Sequence, residues 1–244
     1  GDSGLGHVNI TSGTVTASGW TAVGRGNTGS LTITNATLNG RLTVGAFATG
    51  RGTLNVGTGA VINNANNFWV IGESSTGSDG GQGRVNQTDG IMNINGSFEA
   101  RVGASAFTYG NYNLSGGQLD ANTTFQDGGA GGGVFRQTRG TVAHAANSWA
   151  AVGGFTGGRG ELTISAGDHN HDLAGASTQA HFIIAENGIG VTNVSGTGKL
   201  TTGRDILIGN AGGNGTLNLL TGGVVQADRI RDMNGNAADG VSRV

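Results

Sequence analysis

Residues 214–226 read NGTLNLLTGGVVQ. Leu217 and Leu219 flank Asn218, a glycine pair follows at Gly222 and Gly223, and a second apolar run opens at Val224. Apolar residues at i and i+2 have the period of a strand and not of a helix. Alone, the stretch reads as a strand, a turn and a strand. The same phrase, however, recurs along the chain. GHVNI opens at Gly6, GSLTI at Gly29, GTLNV at Gly52 and GRVNQ at Gly83; GNYNL opens at Gly110, GVFRQ at Gly133, GELTI at Gly160 and GVTNV at Gly190. Together with Gly215 these make nine copies, each keeping the opening glycine.

The register extends beyond the glycine. Two places on stand Val8, Leu31, Leu54, Val85, Tyr112, Phe135, Leu162, Thr192 and Leu217, spaced by 23, 23, 31, 27, 23, 27, 30 and 25 residues. Two further on come Ile10, Ile33, Val56, Gln87, Leu114, Gln137, Ile164, Val194 and Leu219, of which seven are apolar. A turn glycine follows in seven copies, at Gly13, Gly59, Gly90, Gly117, Gly140, Gly167 and Gly222. Past it the alignment sets Val15, Leu38, Val61, Met92, Leu119, Val142, His169, Lys199 and Val224 in one column. Most copies then carry an apolar residue before glycine, as at Val23, Val44, Ile71, Val102, Val152 and Ile208.

Three short strands per repeat, cut by turns, would not recur every third strand in a hairpin meander. They do recur in a coil that climbs one strand spacing per turn, so that equivalent residues stack. The expected fold is all-β: a parallel β-helix of about nine coils and the first strand of a tenth. It forms a single domain and a rod of roughly 43 Å at about 4.8 Å per coil. Composition agrees. Glycine supplies 51 of 244 residues and proline none, as turn-rich coils with internal ladders require. Leu, Ile, Val and Phe number only 53, barely above the level at which a chain usually cannot bury enough surface to fold, yet the net charge of −2 is not that of a disordered chain. A thin core resolves the conflict.

The phrase IGNAGGNGTLNLLTGG, from Ile208 to Gly223, resembles the glycine-rich repeats of bacterial autotransporter (type V secretion) passengers and of PEP-CTERM-type surface proteins. The resemblance covers Gly6 to about Ile230. It implies a β-helix exported to the bacterial surface or beyond, and no particular activity.

Several partner classes are disfavoured. A single lysine, Lys199, and a near-neutral balance give no basic stretch for a nucleic-acid backbone. No apolar run is long enough to insert in a membrane as a helix. There is no cysteine, and no cofactor is expected. Between the inward residues lies an outward column of Asn9, Thr32, Asn55, Asn86, Asn113, Arg136, Thr163, Asn193 and Asn218, which predicts an amide ladder along the rod. The next outward column, including Thr88, Ser115, Thr138 and Ser165, predicts a hydroxyl ladder beside it. Sequons at Asn9, Asn86, Asn113 and Asn193 are expected as a by-product of these columns. The aromatic residues Trp20, Phe68, Trp69, Phe98, Trp149 and Phe182 are expected to fill a wide corner.

The densest set of ligating groups is GDHNHDL, where alternation sends His169 and His171 to one face and Asp168 and Asp172 to the other. It falls in a long repeat and is expected to be an inserted polar loop, not a metal site. The acidic residues nearest to a group are Glu161, Asp168, Asp172, Asp205 and Asp228, too scattered to predict a glycosidase or lyase groove.

Solenoids usually end in atypical capping repeats. No cap is expected here: the first repeat opens at Gly6, and GVSRV at Gly240 matches GVTNV at Gly190. The expected function is a non-enzymatic subunit of an extracellular or cell-surface fibre. Its subunits would associate head to tail through Val8, Ile10 and Val15 at one end and Val224, Val241 and Val244 at the other. The alternatives are a fragment of a longer adhesin stalk, or a β-helix that binds or cleaves a surface polysaccharide.

Overall fold

The computed structural model describes residues 4–47, 49–65, 69–74, 80–95, 100–144, 148–171, 181–233 and 242–243. The chain winds as a parallel β-solenoid with three faces. On the first face the strands Gly6–Ile10, Thr28–Ile33, Arg51–Val56, Gln82–Gln87, Tyr109–Leu114 and Gly132–Gln137 stack in order. The openings of Arg159–His171 and Ile189–Thr202 continue the stack, followed by Asn214–Leu219 and Ser242–Arg243. The second face is built from strands such as Ile91–Asn95, Gln118–Ala121 and Thr141–His144. The third is built from Ala100–Val102, Phe125–Asp127, Ala150–Val152, Phe182–Ile184 and Ile206–Ile208. In some coils two faces share one bent strand, as in Gly13–Arg25, Ala36–Ala46, Arg159–His171 and Ile189–Thr202. Among the described residues the only helical element is a 3-10 turn at Asn210–Gly212, and no helix is long enough to cross a membrane.

First-face register is the one the repeat predicts. Leu31 stands opposite Leu54, Leu54 opposite Val85, Val85 opposite Tyr112, and so on to Thr192 opposite Leu217. From Leu31 onward this column is buried, and with Ile33, Val56, Leu114, Ile164 and Val194 it forms one wall of a single core. Val44, Ile71, Val102, Val152, Ile184 and Ile208 close it from the third face.

The corner between the third and first faces explains the opening glycine. Gly103 sits at φ +69, and its N–H donates to the Ile71 carbonyl of the preceding coil at 2.8 Å. A Cβ there would strike the backbone of Gly132 and Gly133 in the next coil. Gly110, which opens the following strand, needs no left-handed backbone, but a Cβ on it would lie 2.5 Å from Gly103 N and 2.6 Å from Ile71 O. Two glycines therefore pack back to back where the chain turns over its own preceding coil. At one level this corner is held by Ala185, at φ +63 and fully buried.

The second face departs from the alignment by one residue in places. Leu38 pairs with Ile62, not Val61, and His169 pairs with Leu200, not Lys199. The cause is an extra residue at the preceding corner: Ile33 to Thr37 is matched by Val56 to Val61, and Ile164 to Ala166 by Val194 to Thr197. Each insertion swaps the faces of the residues after it, so Ile62, Leu200 and Val225 turn inward while Val61, Lys199 and Val224 do not. At the last level Gly215 stands opposite Ser242, two residues past the Gly240 that the alignment chose.

Replacing Gly103 by alanine is expected to cost at least about 2 kcal/mol, from left-handed strain together with overpacking. Ala185→Gly is expected to stabilise by up to about 1 kcal/mol, as relief of strain outweighs the added freedom of the unfolded chain. Urea melts of the two variants should move in opposite directions.

Candidate functional site

Two regions carry groups that coil-stacking alone does not explain: a polar thread inside the core, and the open face of the first coil.

The polar thread begins at the two non-apolar members of the inward first-face column that runs through Ile33 and Val56. Gln87 and Gln137 are both fully buried. Each uses its Nε2 in the same way, donating to the carbonyl three residues on and to one in a later coil. For Gln87 these are Gly90 at 3.1 Å and Gln118 at 2.9 Å; for Gln137 they are Gly140 and Asp168, both at 3.0 Å. Each Oε1 is thereby turned toward the core and needs a donor. Tyr112 supplies it for Gln87, and His169 Nδ1 supplies it for Gln137 at 3.0 Å. The protons of the histidines follow from this. His169 Nδ1 carries hydrogen, so its Nε2 accepts, and the His144 Nε2–H lying 3.0 Å away must be the donor. The rings continue a string of aromatic contacts from Trp69 through Tyr112, Phe135, Phe125, His144 and His169 to Phe182, with centroids 4.7–6.1 Å apart. His171, also fully buried, packs edge-on against His144 and Phe182.

This segment corrects the polar-loop expectation. GDH and the two residues after it form the end of the strand Arg159–His171, and both histidines point into the core. Among the described residues no group of three His, Cys, Asp or Glu side chains converges to hold an ion. Burial, with His171 nearby, holds the His169 imidazole down at about 3. Burial and the neighbouring imidazoles push His144 well below the usual range. Asp127 occupies the column of Val102 and Val152, fully buried, with neither carboxylate oxygen hydrogen-bonded among the described residues. Burial drives its carboxyl well above the ordinary range.

The open face belongs to the first coil. Val8 is 54% exposed and Val15 41%, although their equivalents Leu31 and Leu38 are buried. With Ile10, Val23, Leu31 and Leu38 they line an apolar concavity of about 260 Å³. At the other end Leu219 and Ile230 are also exposed. Val224 lies opposite Lys199 on the outer side and is 48% exposed; its neighbour Val225 is the residue packed on the core. Val241 and Val244 lie outside the described residues.

Other candidates scatter. Trp69 and Phe182 are core residues. Trp20 instead lies outward on the third face, edge-on to Phe47 and beneath Arg25 and Arg41, while Trp149 packs on a satellite cluster of Ala151, Ile183 and Leu207. Phe68, Phe98 and Asp172 lie outside the described residues. The remaining acidic residues do not gather: Glu161 is on the first face and exposed Asp168 opens a second-face strand segment. Asp205 is held by Arg229 at 3.0 Å and Arg231 at 2.6 Å, away from both.

The amide ladder is present. Asn86 donates to Asn55 at 3.0 Å, Asn113 to Asn86 at 3.0 Å, and Asn218 to Asn193 at 2.8 Å. A second ladder, which the repeat analysis missed, runs up the next face from Asn93 through Asn63 to Asn39, with steps of 2.8 Å. The hydroxyl column does not bond to itself. Thr88, Ser115, Thr138 and Ser165 each reach the backbone carbonyl of the preceding coil. In the sequons at Asn86 and Asn113, the side-chain nitrogen that would carry a glycan is already a ladder donor.

No family model, no curated protein and no solved structure matches this chain.

The buried imidazoles set a pH dependence. The unfolded chain takes up protons near pH 6.5, whereas folded His169 stays neutral down to about 3. Stability is therefore full above about pH 6.5 and falls on acidification, by about 1.4 kcal/mol per pH unit for each such histidine. Asp127, with its raised pKa, has the opposite sign, its contribution being full in acid and lost as pH rises. Urea melts between pH 8 and 4 should show the fall, His144→Phe should flatten it, and Asp127→Val should stabilise more at pH 7 than at pH 4. A flat profile would contradict neutral histidines in the core.

Proposed function

We propose that the chain is a non-enzymatic structural rod of a bacterial extracellular or cell-surface fibre, joined end to end by stacking of its terminal coils onto those of another molecule. The cell-surface setting rests on the resemblance of its repeats to those of autotransporter passengers and PEP-CTERM-type surface proteins. The single observation that carries the stacking is the open face of the first coil. Val8, Ile10 and Val15 stand in register with Leu31, Ile33 and Leu38, and so occupy positions that interior coils bury. At the far end the same three columns run to buried Leu217, exposed Leu219 and half-buried Val225. A contact between unlike ends that does not close on itself generates an open filament. Unpaired strand edges supply backbone hydrogen bonds, and the apolar concavity supplies burial.

Sedimentation velocity and electron microscopy across a concentration series should show rods lengthening by whole-molecule steps. Val8→Asp combined with Val15→Asp should abolish the growth while leaving the strand-rich circular dichroism unchanged. A monodisperse monomer at high concentration, or growth indifferent to both substitutions, would sink the proposal.

A further inference from the structure

The first face carries a second feature that stacking does not use. Side chains at the first and third positions of its strands both point outward, so three successive strands set out a grid of six. Arg51, Gln82 and Tyr109 form one column, and Thr53, Arg84 and Asn111 the other. Together they line a shallow groove of about 350 Å³ that also includes the backbone of Gly52 and Gly83, and among the described residues no carboxylate lines it. Arg51, Gln82, Arg84 and Tyr109 are exposed, and neither arginine is engaged in a salt bridge among the described residues.

The aromatic member is placed with care. Tyr109 is 44% exposed, and its ring edge lies over Gly132, where a Cβ would meet the ring carbon Cδ2 at 3.1 Å. In the same column the neighbouring level holds Arg159, so glycine at 132 is what lets the ring settle against the sheet. Asn111 is anchored from the other side, with its Oδ1 accepting from Asn113 at 2.7 Å, which leaves its amide NH2 as a donor.

We propose that this groove binds an acidic polysaccharide, with sugar carboxylates on Arg51 and Arg84 and a sugar ring against Tyr109. A guanidinium fork matches a carboxylate in two parallel hydrogen bonds. Tyrosine offers an apolar ring face with a polar tip, and Gln82, Thr53 and Asn111 supply amides and a hydroxyl for ring hydroxyls. The rows recur at the coil spacing of about 4.8 Å, of the order of one pyranose along a chain, so a linear sugar polymer can lie along the rod. A nucleic acid fits less well, because tight backbone binding needs many cations and the chain has 13 Lys and Arg against 15 Asp and Glu. The site is independent of end-to-end stacking, since none of its six residues lies in a terminal coil.

Affinity electrophoresis through gels containing polygalacturonate, with dextran and oligo(dT) as parallel arms, tests this directly. Retardation by polygalacturonate that weakens with salt is expected, with none by dextran. Arg51→Gln with Arg84→Gln should weaken binding at least tenfold, Tyr109→Ala should weaken it severalfold, and Arg139→Gln, an exposed change outside the groove, should leave it unchanged. All four positions are exposed, so melting temperature should hold and report folding separately. Absence of retardation, equal retardation by dextran, stronger retention by oligo(dT), or wild-type binding by the double arginine variant would each overturn the proposal.

Discussion

Everything in this molecule depends on the parallel, in-register backbone ladder between successive coils. Each strand bonds to the strand one repeat earlier and one repeat later, so a residue's nearest neighbours are its own equivalents in the sequence. Apolar residues therefore stack on apolar residues, asparagine donates to asparagine, and glycine turns over glycine. Low hydrophobic content is tolerated because a coil need enclose only what its neighbours above and below do not already cover. The same ladder explains why the corner glycines are unforgiving: a Cβ at Gly110 has backbone of the preceding coil on one side and Gly103 on the other.

The ladder also dictates how polarity enters the core. A buried polar side chain cannot look for partners across a wide interior; it must find them one coil away or in the adjoining corner. Gln87 and Gln137 do so in the same manner, each tying a corner carbonyl to a later coil and presenting one acceptor inward, which Tyr112 and His169 then satisfy. Asp127 shows the alternative. It replaces a column valine, finds no side-chain partner of this kind, and burial drives its carboxyl well above the ordinary range. Core polarity here is thus paid in stability that varies with pH, with the imidazoles and the carboxyl pulling in opposite directions. At the first coil Val8 and Val15 stand exposed in columns that later coils bury, and the proposed stacking rests on that observation.

Legibility in the sequence followed the same physics. First-face columns could be read through the nine full copies, because the opening glycine marks each one immediately before the strand and no insertion intervenes; the reading failed only at the tenth strand, where Ser242 and not Gly240 faces Gly215. Second-face columns failed at Val61, Lys199 and Val224, since a single extra corner residue is invisible to a count from the glycine but reverses every side chain after it. A clue lay in the residues themselves: Ile62, Leu200 and Val225 offer the apolar side chain that Lys199 could not. His169 and His171 were assigned to one face correctly, yet were read as loop because the segment falls in a long repeat, where an insertion is expected. Nothing but the register could place His144, one coil earlier, beside them. The Arg51–Arg84–Tyr109 groove was hidden for another reason. Its columns alternate in residue type, and it becomes a grid only when strands 31 and 27 residues apart are brought side by side.

The most direct measurement of this register is electron–electron resonance between pairs of nitroxides. The protein has no cysteine to interfere, and Thr28, Arg159, Ile189 and Asn214 form an exposed first-face column. With one label at Thr28→Cys, labels at Arg159→Cys, Ile189→Cys and Asn214→Cys stand five, six and seven coils away. At about 4.8 Å per coil the distances should be roughly 24, 29 and 34 Å, rising by one coil spacing at each step. Distances that fail to rise in equal steps, or that fall between Ile189 and Asn214, would contradict the in-register solenoid.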